Sequence, residues 1–569
     1  MSAERMGRAD ATGSRGDGAD PPVRGAGPGA DATRSRANGA GSRIDAAGFR
    51  AEPADPRAEA LRPAPPSGPR PRQTPRAAVI GGGIAGLAAA CALAERDVEA
   101  VVFEREDTLG GRLRGWETVL ADGSRATMTR GFHAFFRQYY NLRALLRRSD
   151  PGLDGLVPLA DYPLVHRDGP RDRFAGLPPV PPWNAAVLAA VSPSFPLRDL
   201  ARVNVPAALQ LLDVDTPGVY ERLDHLSARE FLDAVRFPPT ARHLAFEVFT
   251  RSFFASPDRL SAAELAVMFH VYFLGSSEGL VFDVPRSPFP QALWDPLCAR
   301  LADEGAVLRP GTPVGSVERG RHRRFRVAWG GGEAQEFDGV VLATDPGGLR
   351  ALVAASPGLG DAAWRDRVAR LPSAPPFLVS RYWLDRPVRP HRPAFLGTAG
   401  YPTLDNVSVL ERYEDQARDW ARRTGGSVVE LHAYALEPGC DPDAERASLW
   451  EQAATVYPEL RAARAVDSRH ELRADCPLFP PGSHRDRVRV GTPDPLLAVA
   501  GDHVGVDLPV ALMERAATSG FLAANALLSR WGRPGHTVWS VPSRGRSRPL
   551  RALARAARQP GQRPEARSR

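Results

Sequence analysis

The run Ala77-Ala78-Val79-Ile80-Gly81-Gly82-Gly83-Ile84-Ala85-Gly86, carried on through Glu104 to Gly110-Gly111-Arg112, decides how the rest of the chain is read. Residues 77–80 are apolar and form a short buried strand, and Gly81, Gly83 and Gly86 follow as G-x-G-x-x-G. An alanine-rich helix then runs to about Glu95, and residues 99–103 make a second strand that ends at Glu104. In such a strand–helix–strand unit the first glycine makes a tight turn and the second admits a pyrophosphate. The third lets helix and strand pack closely, the N–H groups of the helix start (Ile84, Ala85) face the phosphates, and an acid about twenty residues on bonds ribose hydroxyls. Glu104 stands at that place. Glycine is common here, 53 of 569 residues, so the triplet alone carries little. The strand, the helix, the second strand and the placed acid together imply a dinucleotide, with a purely structural glycine turn as the alternative.

Glu104-Arg105 followed by Gly110-Gly111-Arg112 resembles the amine-oxidase and carotenoid-desaturase superfamily of flavoproteins. The resemblance implies FAD, with the double glycine and Arg112 covering its pyrophosphate. A guanidinium suits that place because it offers a bidentate fork to phosphate oxygens. A solvated arginine in a glycine loop is the plainer reading.

The second half of the expected site lies some 400 residues on. Residues 496–500 form a strand ending in Gly501-Asp502, and past Pro509 a helix carries Met513 near its start. This resembles the C-terminal FAD motif, which implies that Asp502 bonds the ribityl chain and that the helix start faces the flavin, where its dipole favours negative charge. Val314, on a strand returning to the dinucleotide fold, is implied to contact adenine through its backbone. The expected class is α/β (α+β): a Rossmann-like FAD-binding domain of amine-oxidase type with a discontinuous mixed sheet-and-helix substrate domain. Its expected partition is an unstructured extension over 1–75, FAD-binding segments at 76–170, 291–350 and 476–536, substrate segments at 171–290 and 351–475, and an unstructured basic tail over 537–569.

Composition narrows the function classes. No apolar run is long enough to cross a membrane and the start lacks a signal-peptide core, so neither a spanning nor a secreted protein is expected. Four widely spaced cysteines without a C-x-x-C argue against a disulfide framework or a metal site and for a reducing cytoplasm. Residues 1–76 hold 13 Arg against 9 acids and residues 537–569 hold 9 Arg against 1, so of the net charge of +8 the body carries −4. Nucleic-acid binding by the folded part is therefore not expected. Lysine is absent altogether, which removes Schiff-base and lysine-base chemistry. The arginine-rich tail, with a short helix expected over 549–558, suits either an anionic membrane surface or simple solubility.

Helices are expected over 185–191, 199–212, 227–235, 241–253 and 443–456. Another spans 261–274, capped by Ser261 with Glu264 closing a capping box. Its apolar stripe reads as core before it reads as a ligand groove. Strands are expected over 375–385 and 427–436 as the floor of the substrate domain. Residues 130–143, Arg-Gly-Phe-His-Ala-Phe-Phe-Arg-Gln-Tyr-Tyr-Asn-Leu-Arg, either lead toward a flavin cavity or form a helix with an aromatic core face.

This aromatic segment, together with Leu404-Asp405-Asn406-Val407-Ser408-Val409-Leu410-Glu411-Arg412-Tyr413-Glu414, resembles the β-carotene desaturase/methyltransferase group, the isorenieratene synthases. The resemblance covers about residues 76–535. It implies dehydrogenation of carotenoid β-rings with migration of a methyl group, giving aromatic rings. Such chemistry calls for a long apolar pocket whose aromatic faces stabilise a cation, and for one modest base. His133 is the candidate base, with Tyr139 beside it; Phe132, Phe135, Phe136 and Tyr140 are the candidate lining. A structural role for His133 stays open. The implied partners are an apolar isoprenoid, an electron acceptor that the chain does not name, and the inner face of the cell membrane as a peripheral site. Two alternatives remain: a linear-polyene desaturase or another isoprenoid-acting flavin oxidoreductase, and a non-catalytic flavin-binding protein.

Overall fold

The strand that opens the first motif lies at the centre of a five-stranded sheet ordered Val307–Arg309, Glu99–Phe103, Arg76–Ile80, Gly339–Leu342, Leu497–Val499, parallel throughout. These strands are apolar rather than alternating because both faces are covered. On one face lies the helix Ile84–Ala94, more than half alanine and buried from Ile84 to Leu93, against the long helix Leu512–Arg530. The approach is close enough that a Cβ on Gly520 would stand 2.3 Å from the Ala85 carbonyl oxygen. On the other face an antiparallel meander, Val314–Arg319, Phe325–Trp329 and Glu333–Phe337, buries Val317, Val327 and Phe337 against Ile80, Val101 and Phe103. The computed structural model describes residues 53–242 and 253–557, and all of them fall in one compact unit. The α/β class and the FAD-binding arrangement with a second, mixed sheet are borne out.

That second sheet has seven strands, ordered Ala465–Arg473, Phe377–Leu384, Ser427–Ala433, Asn406–Val409, Phe395–Ala399, Leu164–His166, Arg171–Asp172. All neighbours are antiparallel except Phe395–Ala399 with Leu164–His166. Residues from before 175 and after 375 therefore share one sheet. A smaller sheet, Phe135–Phe136, Phe282–Pro285, Leu156–Pro158, carries the aromatic segment.

Several expectations are corrected. Residues 53–75 are not an unstructured extension: Glu59–Leu61 pairs antiparallel with Val538–Ser540, and buried Asp55 forms an ion pair with Arg546 and accepts from Ser277 N at 2.9 Å. Both terminal segments are thus ordered by each other. Composition reads only local preference and misses a contact between residues almost 500 apart. The tail helix is Arg548–Ala556, capped by Ser547, with Arg555 reaching Asp213 at 3.3 Å.

The expected helix over 199–212 is broken into Leu197–Leu200, Val205–Ala208 and a 3-10 turn Leu209–Asp213. Pro206 lacks an N–H and can sit only at a helix start, so the chain restarts there. The helix expected over 241–253 lies almost wholly outside the described residues. The segment after Ser261 is helical over Ala262–Phe269 and widens into a π turn, His270–Leu274. Ser261 caps by accepting from Ala263 N, but Glu264 does not close a box. Its carboxylate is drawn inward to Arg515 (2.8 Å), Arg487 and the Tyr220 hydroxyl (2.9 Å), because a buried charge needs partners more than a helix end does. The reciprocal capping box sits instead at Ser227 and Glu230.

Candidate active site

The ends of the parallel strands and one face of the seven-stranded sheet enclose a cavity of about 700 Å³. Its polar end is a glycine cradle. Gly81 turns at φ +112°, and a Cβ there would meet the Ala343 carbonyl oxygen at 2.4 Å. Gly86 does not line the cavity. It lets the helix sit down on the turn, since its Cβ would lie 1.8 Å from the Gly81 carbonyl oxygen. Gly110 (φ +108°) and Gly111 (φ +59°) bring a second loop onto the first. Gly110 N donates to Gly82 O at 2.8 Å, and a Cβ on Gly111 would lie 2.9 Å from Gly83 Cα.

Glu104 is held by Gly82 N (2.7 Å) and Glu106 N (3.0 Å), one bond to each carboxylate oxygen. Arg105 pairs with Asp345 at 3.5 Å, and Asp345 in turn caps the helix Pro346–Ala354. Arg112 meets Asp502 at 2.5 Å, so the two motifs close on one another. Gly501 takes φ +149°, and Ser519 in the long helix bonds both its N–H (2.9 Å) and its carbonyl (3.0 Å). Gly81, Gly83, Ile84, Ala85, Glu104, Arg105, Gly110, Gly111, Arg112, Val314, Gly501, Asp502 and Met513 all line the cavity. A closely approached backbone, helix N–H groups at Ile84 and Ala85, a fixed carboxylate and a guanidinium are the donor and acceptor set that a flavin dinucleotide requires. The residues fit the group.

The other end is aromatic. Phe132, Phe136, Tyr139, Tyr272, Phe282 and Phe395 line it, with Phe132 stacked on Phe395 at 4.3 Å and Phe136 tilted on Tyr272 at 4.6 Å. Tyr139 and Tyr272 share a hydroxyl–hydroxyl bond of 2.5 Å. His133 also lines this region. Its Nδ1–H donates to the Gly131 carbonyl (3.0 Å), which leaves the lone pair on Nε2, and burial lowers its pKa to about 4, so the ring is neutral.

Two expected lining residues are not there. Phe135 is fully buried on the opposite side of its strand from Phe136, as strand alternation requires. Tyr140 opens the helix Tyr140–Leu146 and turns its hydroxyl to Ser276 at 3.4 Å. Segment 130–143 is thus a short strand followed by a helix start, not one helix.

Sequence reading missed the polar wall facing the aromatics. Asp405, Asn406, His432, Tyr434 and Asp475 all line the cavity. His432 fills the space that a Cβ on Gly131 would need, 2.5 Å from its Cε1. Asp475 takes a two-pronged bond from Arg130 (2.7 and 2.8 Å). The alternation of Glu430 and His432 in the strand Ser427–Ala433, continued by Tyr434 just past its end, was the signal available. Cys476 stands beside Arg112, and burial pushes its thiol up to about 11.

The family model for flavin containing amine oxidoreductases matches residues 84–528. The chain belongs to that family. Its members use flavin, and this protein is accordingly an FAD-dependent oxidoreductase. Among its relatives, the carotenoid phi-ring synthase of Streptomyces griseus is 60% identical over 506 residues, covering 88% of this chain and 96% of the relative. The carotenoid phi-ring synthase of Chlorobaculum tepidum is 27% identical over 601 residues, covering 83% and 91%. Among solved structures, the cyclohexylamine oxidase of Brevibacterium oxydans shares the fold with a TM-score of 0.57 at 16% identity, covering 81% of this chain and all of that one.

Proposed function

We propose that this amine-oxidase-family protein desaturates the β-rings of carotenoids with migration of a methyl group, giving aromatic-ring carotenoids of the φ type. The observation that carries this reading is the continuity of one cavity from the glycine cradle to a chamber walled by aromatic rings. The names of the two carotenoid relatives support it, and so does the lack of lysine, the residue an amine oxidase of this fold would be expected to place near its flavin.

When bound, FAD supplies the hydride acceptor. The chain supplies the rest. Gly81, Gly83, Ile84, Ala85, Glu104, Arg105, Gly110, Gly111 and Arg112 would hold the dinucleotide end, with Val314 toward the adenine and Gly501, Asp502 and Met513 toward the flavin end. Phe132, Phe136 and Tyr139 present ring faces that stabilise positive charge on the polyene as the ring is oxidised. Dry aromatic walls keep water from trapping that charge, so that methyl migration competes. His133, neutral and with Nε2 as its acceptor atom, takes a ring proton.

Large apolar side chains exposed on the segment 180–205 support a membrane-docked location from which an apolar substrate is drawn. Trp183 is 65% exposed, Leu197 84% and Val205 57%, with Arg198 and Arg202 between them. Trp183→Ser with Leu197→Ser should lower co-sedimentation with anionic phospholipid vesicles several-fold; unchanged co-sedimentation would remove the docking face. No described helix is long and apolar enough to span a bilayer.

Expression in cells that accumulate β-carotene tests the reaction. Pigment with aromatic end rings is the expected outcome. Unaltered β-carotene would overturn the reading, and changes confined to the linear chain of an earlier precursor would transfer it to linear-polyene desaturation.

A further inference from the structure

Aromatisation of a β-ring, on the reading above, releases two protons per ring from different carbons, and His133 accounts for one. We propose that Tyr434 is the catalytic acceptor of the other, with His432 and Glu430 as positioning residues behind it.

Three adjacent strands build the array. Arg381 and Glu430 are register partners between Phe377–Leu384 and Ser427–Ala433, and Asn406 and His432 are partners across the next pair. Alternation puts Glu430 and His432 on one face. Arg381, tied to the Thr127 carbonyl (2.9 Å) and the Thr129 hydroxyl (2.7 Å), forks Glu430 Oε2 at 2.9 and 2.7 Å. Burial would raise this carboxyl, but Arg381 and His432 hold it down to about 2, so it is ionised.

Glu430 Oε1 lies 2.9 Å from His432 Nε2, which fixes the proton on that nitrogen. The Phe132 N–H also points at Nε2, from 3.2 Å, but an ionised carboxylate is the stronger partner. Nδ1 therefore carries the lone pair, and the Tyr434 hydroxyl donates to it at 2.7 Å. Asn406 Nδ2 donates to the same hydroxyl oxygen at 3.2 Å, leaving one oxygen lone pair for the cavity that Tyr434 lines. Burial raises the phenol, so it stays protonated and passes protons on rather than storing charge.

The step balances without an added reagent. In the ring cation that hydride loss and methyl migration leave, a ring C–H bond breaks and its electron pair fills the cationic centre as the new ring double bond. The proton goes to Tyr434 Oη while the phenolic proton moves to His432 Nδ1, and the imidazolium rests against the Glu430 carboxylate.

Because this rests on the ring-aromatising reading, the test uses the full-length, FAD-loaded protein and its Tyr434→Phe and His432→Gln variants with β-carotene and an excess of a soluble quinone, which takes up the electrons of the two hydride transfers that each ring requires, analysing ring products by mass. Both variants should bind flavin as the parent does and remove the first two ring hydrogens. The rings should then stop two hydrogens short of aromatic, with aromatic product down about 100-fold. The parent should show a solvent deuterium isotope effect on the final aromatisation that His432→Gln lacks. Aromatic rings formed by Tyr434→Phe at the parent rate would overturn the relay alone. If Tyr434→Phe holds no flavin, His432→Gln decides by the same product and isotope readouts. A parent protein that leaves the rings unaltered would overturn the functional reading and the relay with it.

Discussion

The glycine cradle and the aromatic chamber are two walls of one cavity, built by opposite means. The cradle is backbone: its shape comes from Gly81, Gly86, Gly110 and Gly111, each at a place where a Cβ would come within 3.0 Å of another atom. The chamber is side chain: Phe132, Phe136, Tyr139, Tyr272 and Tyr434 arrive on elements scattered from residue 130 to 434. A backbone wall has no slack, whereas a wall of rings repacks. Substitutions in the cradle should therefore act as all or none on flavin, and those in the chamber as graded changes in turnover with flavin intact.

The largest effect should come from Gly86→Val. With no room beside the Gly81 carbonyl, the helix must lift from the turn, at a cost above about 4 kcal/mol. Flavin recovered with the purified protein, measured by absorbance, should fall below about a tenth of the parent value. Full flavin content would break the contrast at its root.

Next comes Glu264→Gln, at the junction of the two regions. It leaves Arg487 and Arg515 buried without their carboxylate, a loss of about 3–5 kcal/mol in urea unfolding. Burial would raise Glu264, but the two arginines hold it down to about 2. Its contribution is therefore present above the ordinary glutamate range and lost as pH falls toward 2. The parent should lose stability across that window, and Glu264→Gln should lose less there.

Arg112→Ala removes the 2.5 Å contact to Asp502 and, on the proposed reading, a partner for the flavin pyrophosphate. Flavin affinity should drop about 10- to 100-fold, about 1.5–3 kcal/mol, by titration of the apoprotein. The smallest effect belongs to Tyr139→Phe, which removes only the hydroxyl bond to Tyr272, about 1 kcal/mol. Flavin content should stay at the parent level and carotene turnover should fall less than about tenfold.

The same contrast explains what could be read from the chain alone. A backbone cradle needs glycines at fixed spacing, so Gly81 through Arg112 and Gly501-Asp502 were legible as local patterns. The polar wall was not. His432, Asn406 and Arg381 meet only because three strands pair in one register, and no single stretch records that. Phe135 and Tyr140 were misplaced because clustered aromatics do not announce which face each takes. Asp55 and Arg546 show the same limit at the termini: low-complexity composition hid an ion pair nearly 500 residues apart.

The central claim is that flavin and carotenoid ring meet in one cavity. Adding β-carotene to the purified yellow protein without oxygen tests it most directly, by removing the carotene into organic solvent under the same anaerobic conditions and then reading the absorbance of the protein-bound flavin. Loss of flavin colour in step with ring dehydrogenation is the expected result. Flavin that stays oxidised while carotene is present, or a protein that takes up no flavin, would contradict it.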